Sequence, residues 1–287
     1  MAIPTSKTLS VVITTKNRWS DLERTLNALS DSYPQYPVLI IDDGSEQCPE
    51  SDLTQLHPRV DIETASASAG YIVRRNQLAQ AAQTPYVLSL DDDSYPVSGQ
   101  LDQVTSWMDD NTDVLCSSLP IFNPIKDSFQ NMPRGKEPST TKAFIGCAHV
   151  MRRSAFLGLG AYNVELIHQG EEMDLGARGL LDGQRCVHFP GPLIHHLESN
   201  EGRNWSRMDY YGARNAVLWN DWYVPTRLQR VRSLRRAAAT AIHAAKTRRL
   251  GQVKGHLAAR RLRPTFQQYR KRFDEDMFRR WVALPFA

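Results

Sequence analysis

Short apolar runs alternate with amphipathic segments through the first half of the chain. Leu9-Ser-Val-Val-Ile13 and Val38-Leu-Ile-Ile41 have the length and β-branched content of buried strands. Pro85-Tyr-Val-Leu-Ser-Leu90 and Val114-Leu-Cys116 repeat the pattern. Between them, Ser20-Asp-Leu-Glu23 has capping-box spacing, and Leu22, Leu26 and Leu29 then fall on one helical face. A second helix, carrying Arg74, Arg75 and Asn76, follows a turn at Gly70. A third is built around Leu101, Val104 and Met108. Strands alternating with helices predict an α/β fold with a mainly parallel sheet, and ligands in such sheets bind beyond the C-terminal ends of the strands. Thr14 to Arg18, Asp42 to Ser45 and Asp91 to Asp93 each follow a different strand, so a parallel sheet would bring all three clusters to one edge.

The second half is less regular. Residues 120–142 are rich in Pro, Ser, Asn, Lys and Gly and predict a long loop, of the kind that serves as a lid or binding element. Phe144 to Val150 returns to the core. Glu171 to Leu181 predicts a helix ending at Gly183, and Val187-His-Phe-Pro190 and Leu193-Ile-His-His196 are strand-like. Beyond Asn204 the chain turns helical and aromatic, and from Thr226 it is rich in Ala, Leu and Arg.

Composition narrows the class. At 287 residues, with 41% hydrophobic and 23% charged positions, the chain suits a globular protein with a large core. No apolar stretch reaches the roughly 18 to 20 residues of a membrane span, and the N-terminal segment carries no signal-peptide core. Cys48, Cys116, Cys147 and Cys186 form no CxxC pair and read as free thiols, which predicts a cytoplasmic protein. The net charge is only +4, but residues 227–263 hold 12 Lys or Arg and no Asp or Glu. A basic amphipathic helix there would contact an anionic membrane surface, placing the protein at the cytoplasmic face. A helical appendage or oligomer interface is the alternative. No recognised nucleic-acid module accompanies the charge, so no nucleic-acid partner is expected.

The densest chemical signal is Asp91-Asp92-Asp93 at the end of an apolar strand. Three adjacent like charges suit a hard divalent cation held with substrate phosphates, or a polar turn capping the next helix. In order along the chain, Val-Val-Ile-Thr-Thr-Lys-Asn-Arg18, Ile-Ile-Asp-Asp-Gly-Ser45, Arg75-Asn76, Leu-Asp-Asp-Asp93, Gly170-Glu-Glu-Met-Asp-Leu175 and a late His resemble glycosyltransferase family 2 over residues 8 to 220. Tyr210-Tyr-Gly-Ala-Arg-Asn215 resembles its rhamnosyl- and galactofuranosyltransferase subgroup. The resemblance implies a GT-A fold, Rossmann-like with a mainly parallel sheet flanked by helices, and inverting transfer from a nucleotide-sugar. It implies Mn²⁺ or Mg²⁺ as cofactor, a UDP- or dTDP-linked donor, and a glycan or lipid-linked acceptor. The organisation expected is a GT-A domain over residues 1–222, with a nucleotide-binding half to about 119 and an acceptor-side half from about 120 to 222. Residues 223–287 are expected to form a basic helical appendage.

Within that resemblance, Asp43 matches the carboxylate that accepts from the base NH, with an Asx-type turn as the competing reading. Thr14 and Arg18 would border the base and ribose. Arg75 matches an arginine near base and phosphates, against a surface helix arginine. Asp93 is expected to bind the metal directly, and Asp91 to contact ribose or the metal's water. Asp92 fills the variable middle of the donor-side motif. Glu172 is the expected base, with Glu171 the runner-up, because an in-line displacement needs one carboxylate to take the acceptor proton. The family usually has Asp at the position of Glu172, one methylene shorter. Asp174 stands four residues before Arg178, the spacing of a helix-face ion pair. His196 is preferred over His195 as the late metal ligand, since strand alternation points them to opposite faces. Arg203, Arg207 and Arg214 could reach donor phosphates or be solvated helix charges, and Trp205, Tyr210 and Tyr211 could stack on acceptor sugars or pack in a core. The competing classes are a sugar nucleotidyltransferase, a metal phosphohydrolase and a non-catalytic nucleotide-sugar-binding module. The first would carry a Gly-rich loop where Thr14 to Arg18 has no glycine, and intact Asp93 and Glu172 argue against the last.

Overall fold

Alternation along the first strand sets the layers. Val11 and Ile13 point to one face of the sheet and pack with Leu22, Leu26, Leu29, Leu101, Val104 and Met108, all fully buried. Val12 points to the other face, into a cluster that holds Ile72, Leu78, Leu175, Trp219 and Trp222. The computed structural model describes residues 5–47, 49, 52–57, 59–198 and 204–287. Cys48 and Arg203 lie outside the described residues; Cys116, Cys147 and Cys186 are free thiols.

In chain order the elements are β1 (Leu9–Thr15), α1 (Trp19–Ser32), β2 (Val38–Asp42), β3 (Val60–Thr64), α2 (Tyr71–Ala81), β4 (Tyr86–Asp91), β5 (Ser94–Ser98), α3 (Leu101–Asp110), β6 (Val114–Ser118) and β7 (Ile121–Asn123). There follow β8 (Ser128–Asn131), β9 (Ser139–Thr141), β10 (His149–Arg152), α4 (Arg153–Gly158), α5 (Glu171–Leu181), β11 (Arg185–His188) and β12 (Leu193–His196). The C-terminal helices are α6 (Trp205–Tyr223), α7 (Thr226–Thr247), α8 (Gly251–Leu262) and α9 (Glu275–Ala283).

The main sheet runs β3-β2-β1-β4-β10-β6-β11-β9 and a smaller one β5-β12-β7-β8. β3, β2, β1 and β4 are parallel, and Thr15 pairs with Asp42 while Thr14 pairs with Asp91. The three polar clusters therefore do meet at one edge. β10 enters antiparallel between β4 and β6. The fold is the expected α/β architecture with a mainly parallel central sheet and C-terminal helices.

Three details differ from the sequence pattern. α1 begins at Trp19 with Arg18 as N-cap and no capping side-chain bond, so Ser20-Asp-Leu-Glu23 does not act as a capping box. Asp21 in its first turn is instead bound by Arg18 and Arg24. Val60-Asp-Ile-Glu-Thr64, unmarked by any long apolar run, is the edge strand β3, half-covered and alternating. Residues 120–142 are not a structureless loop, since they hold β7, β8 and β9. Strands of three or four residues carry too little apolar periodicity to be seen in composition.

The C-terminal helices are tied to the rest by a close crossing. On α8, Gly251 and Gly255 face α6 so tightly that a Cβ on Gly255 would meet the Tyr210 carbonyl at 2.0 Å. One turn later Ala259 is fully buried in the same cluster as Trp222, Phe266 and Trp281. Trp281 of α9 stacks on Trp219 of α6 at 5.7 Å.

This crossing yields a stability prediction. Gly255→Ala forces α8 off α6 and should lower unfolding free energy by roughly 1–3 kcal/mol. Gly158→Ala, where an added Cβ meets nothing within 4 Å, should be neutral or stabilising by up to about 1 kcal/mol. Urea denaturation of the two variants checks the contrast, and equal midpoints would refute it.

Candidate active site

The aspartate triplet sits at the corner where the two sheets separate. β4 ends on Asp91 in the main sheet, and β5 starts on Ser94 in the small one. β12 pairs antiparallel with β5, and the register sets His196 opposite Ser94 and His195 opposite Tyr95. The Leu197 amide donates to the Asp93 carbonyl at 3.0 Å, closing the corner. Alternation then separates the histidines. His195 packs against the rings of Tyr95 and Phe122. His196 faces the carboxylates, with Nε2 3.3 Å from Asp93 Oδ1 and 3.8 Å from Asp91 Oδ2.

Each carboxylate is held through one oxygen and turns the other toward His196. Arg75 binds Asp91 Oδ1 at 2.6 Å, and Arg18 binds Asp93 Oδ2 at 2.7 Å. The remaining oxygens, Asp91 Oδ2 and Asp93 Oδ1, are those nearest the imidazole. Burial lowers the basicity of His196, but hydrogen bonds to Asp93 and Cys147 and the charge of Asp91 outweigh it and raise its pKa to about 11. The position between the two carboxylates therefore favours a positive charge. On the far side of the ring, Nδ1 meets Gln130 Oε1 at 2.9 Å and the Cys147 sulfur at 3.5 Å.

Asp92 turns inward. It is 3% exposed, accepts from Thr15 Oγ1 at 2.8 Å and pairs with Arg18 at 2.7 Å. Arg18 thus bridges Asp21, Asp92 and Asp93. Thr14 lies in the ladder between Ile41 and Asp91. Asp42 caps the turn to Ser45. Asp43 accepts from Ser68 Oγ, the amides of Ala69 and Gly70 and Arg74 Nε, at 2.5 to 2.9 Å. In this structure Asp43 ties β2 to the entry of α2, so its oxygens already serve protein donors.

Arg75 is not a surface helix arginine. It is 7% exposed, lies over the Tyr71 ring at 4.9 Å, and spans Asp91 and Glu171, the latter at 3.7 Å. It therefore connects the triplet to the first turn of α5. Glu171 is 1% exposed, and neither of its oxygens has a hydrogen-bond partner among the described residues. Glu172 is less buried. A Cβ on Gly146 would lie 2.7 Å from Glu172 Oε1 and 2.8 Å from Arg75, so this glycine leaves room for both side chains beside Cys147. Burial raises the pKa of both glutamates. The charge of Glu171 adds to the effect on Glu172.

The segment before α5 is strained, with positive φ at Ile167, Gln169 and Gly170. It is held from α6 by the Asn215 amide, which donates toward the carbonyls of Leu166, His168 and Gln169 at 2.9, 2.9 and 2.7 Å. Arg214, 4% exposed, donates to the carbonyl of Glu165 and is committed to this support, not turned toward the triplet. Arg207 lies over Tyr211, Tyr210 and Tyr211 pack edge to face, and Trp205 is exposed. Asp174 pairs with Arg178 at 2.8 Å and accepts from Tyr223 at 2.6 Å, the helix-face role its spacing suggested.

The donor set fits a divalent cation. Asp91, Cys147 and His196 offer ligand atoms that lie within 4.8 Å of one another, and Asp93 adds a second carboxylate. The carboxylate oxygens suit Mg²⁺ and Mn²⁺, and the imidazole nitrogen adds a ligand typical of first-row transition ions. Cys147 and Gln130 were missed in the sequence. Neither sits in a motif, and only the sheet register brings them to His196.

The family model described as Glycosyl transferase family 2 matches residues 10–159. The chain belongs to that family. The Pre-mycofactocin glycosyltransferase of Mycobacterium tuberculosis is 28% identical over 232 residues, covering 75% of this chain and 48% of that protein. The chain thus spans about half the length of the curated relatives it matches. Among solved structures, GalNAc-T7 with UDP, GalNAc and Mn²⁺ is 19% identical, with a TM-score of 0.60 over 75% of this chain and 48% of that one. Staphylococcus aureus TarS 1–349 is 14% identical, with a TM-score of 0.56 over 74% and 65%. At these identities the structural likeness is one of fold.

The buried charges make two effects on stability measurable. Arg75→Gln removes the buried cation that spans Asp91 and Glu171 and should cost about 3–5 kcal/mol. Adding Glu171→Gln should recover part of that loss, a coupling that a double-mutant cycle by urea denaturation measures. Glu172 has a folded pKa of about 8 against 4.5 for the free side chain. Between those values the folded state holds a proton that the unfolded state has released, so stability falls as pH rises through the window. Glu172→Gln should flatten that fall and raise Tm at about pH 8; an unchanged slope would contradict the assignment.

Proposed function

We propose that the protein is an inverting, metal-dependent glycosyltransferase that moves a sugar from a nucleoside-diphosphate donor to a hydroxyl acceptor. The observation that carries this reading is the convergence of Asp91, Asp93 and His196 on one point, joined through Arg75 to Glu171, the neighbour of Glu172. Residues 1–222 form the transferase unit in this reading, and 223–287 support it. The donor is UDP- or dTDP-linked, at the strand edge formed by Thr14, Arg18, Asp43 and Asp91. Support for UDP comes from its presence with GalNAc-T7 and with TarS, which share the fold.

Asp91, Asp93 and His196 would hold Mn²⁺ or Mg²⁺, which when bound neutralises charge on the departing nucleoside diphosphate. Arg75 keeps Asp91 oriented, and Arg18 does the same for Asp93. Glu172 takes the proton from the acceptor oxygen as that oxygen attacks the anomeric carbon, and the bond to the nucleotide breaks in the same step. Glu172 is favoured over Glu171 because it is the less buried of the two. Its raised pKa suits a base working near neutrality.

The acceptor reading is a glycan or lipid-linked glycan approached from the cytoplasmic side. No helix among the described residues is long and apolar enough to cross a membrane. α7 exposes Leu228, Val231, Leu234 and Ile242 among its arginines, which supports peripheral contact of residues 227–263 with anionic lipid.

The test combines turnover with binding. Release of UDP from UDP-sugars should require Mn²⁺ or Mg²⁺, stop with EDTA and return on adding the ion. Glu172→Gln should lower kcat by about 10²- to 10⁴-fold while UDP still raises Tm. With wild-type protein, kcat/KM should climb with pH toward a plateau above about 8, because the base must be ionised. Full transfer by Glu172→Gln would remove the base assignment, and no Tm shift with any uridine or thymidine nucleotide would remove the donor site.

A further inference from the structure

The C-terminal helices enclose charge that the donor site and the proposed base do not use. Where α6, α7 and α8 meet, a cavity of about 30 Å³ is lined by Asn220, Ser233, Arg236, His256, Arg260 and Arg263. Asp221 is the carboxylate beside it, and it is already engaged by Arg270 at 2.8 Å and by Arg263 at 3.7 Å. Arg236 and Arg260 line the cavity and make no hydrogen bond or ion pair among the described residues. His256 is 8% exposed, and its Nδ1 has no hydrogen-bond partner among the described residues, nor has Arg263 Nε. Burial, then the charges of Arg260, Arg263 and Arg236, hold the His256 pKa below its ordinary value. The chain thus brings three guanidinium groups and the His256 imidazole around one small space, beside Asp221, which Arg270 and Arg263 already engage.

We propose that this cavity is an anion site that takes a phosphate group, held by Arg236, Arg260 and Arg263 with His256 behind them. A carboxylate offers two oxygens, whereas a phosphate offers three or four and a second charge, which suits several converging guanidinium groups. Arg260 is exposed, so it can swing outward to admit a group larger than the space it now encloses. Arg236 is also a wall of a larger neighbouring cavity of about 120 Å³, built on Met173, Trp219 and Trp222. The fully buried Trp222 indole N–H has no acceptor among the described residues. An organic phosphate could therefore set its phosphate among the arginines and its apolar body against the tryptophans, under the first turns of α5. None of the residues of the triplet corner belongs to this site.

The experiment is calorimetric titration of the full chain with inorganic phosphate and, separately, phenyl phosphate, in chloride buffer at matched ionic strength. Phosphate should bind with one-to-one stoichiometry. Arg260→Gln and Arg236→Gln should each weaken it about tenfold or more, while Arg230→Gln, an exposed α7 arginine outside the cavity lining, should leave it unchanged. Tighter binding of phenyl phosphate than of phosphate assigns the ligand to an organic phosphate. Equal affinities assign it to the free ion. Arg260 is exposed, so its substitution leaves the fold intact and keeps the test decisive. No measurable phosphate binding, or equal loss with Arg230→Gln, would overturn the site and leave only general charge attraction.

Discussion

The ion bridge through Arg75 is the interaction on which the site depends. A guanidinium buried to 7% exposure would be strongly unfavourable alone. Here it lies between Asp91, at the end of β4, and Glu171, at the start of α5. Those two elements are 80 residues apart in the chain, and a single side chain sets the spacing between the proposed cation ligands and the proposed base. Arg18 performs the matching task for Asp93. With both arginines in place, each carboxylate is fixed by one oxygen while the other faces His196. The corner holds Asp91, Asp92, Asp93, Glu171 and Glu172 against two arginines, and His196 becomes strongly basic in response.

Much of the frame is legible in the sequence because it rests on local signals. The runs at Leu9, Val38 and Tyr86 are long, β-branched and buried on both faces, and the helices between them repeat leucines at helical spacing. Once the sheet is parallel, the meeting of Thr14, Asp42 and Asp91 is a consequence of topology. The choice between His195 and His196 also rests on alternation, although only the β5–β12 register shows which face carries the aspartates. What stays hidden is long-range. Arg75 looks like any helix arginine until β4 and α5 close on it. Gln130 sits in a four-residue strand within a polar stretch, and Cys147 comes after a glycine with no motif around it. Asp43 matches a base-contacting position, yet its four protein donors lie 25 to 31 residues away, beyond any local pattern.

The position of Glu172 is decided from behind. Its helix begins at a left-handed glycine after two further residues with positive φ, a conformation that persists only when its surroundings impose it. The imposing groups come from α6. Asn215 and Arg214 hold the carbonyls of Glu165, Leu166, His168 and Gln169, and the Trp219 indole donates to the Met173 carbonyl at 3.1 Å. α6 in turn is fixed by α8 through the glycine crossing, and by α9 through the Trp219–Trp281 stack. The helical C-terminus is therefore part of what positions Glu172, the proposed base, although it supplies no residue to the corner itself. Two opposing effects act on Glu172 there. The amide groups at the start of α5 favour its charged form, and burial beside Glu171 favours the neutral one. Burial prevails, which leaves a carboxylate that is uncomfortable when ionised and gains by accepting a proton. That imbalance is a property a base requires, and it is maintained by packing that begins at the far end of the chain.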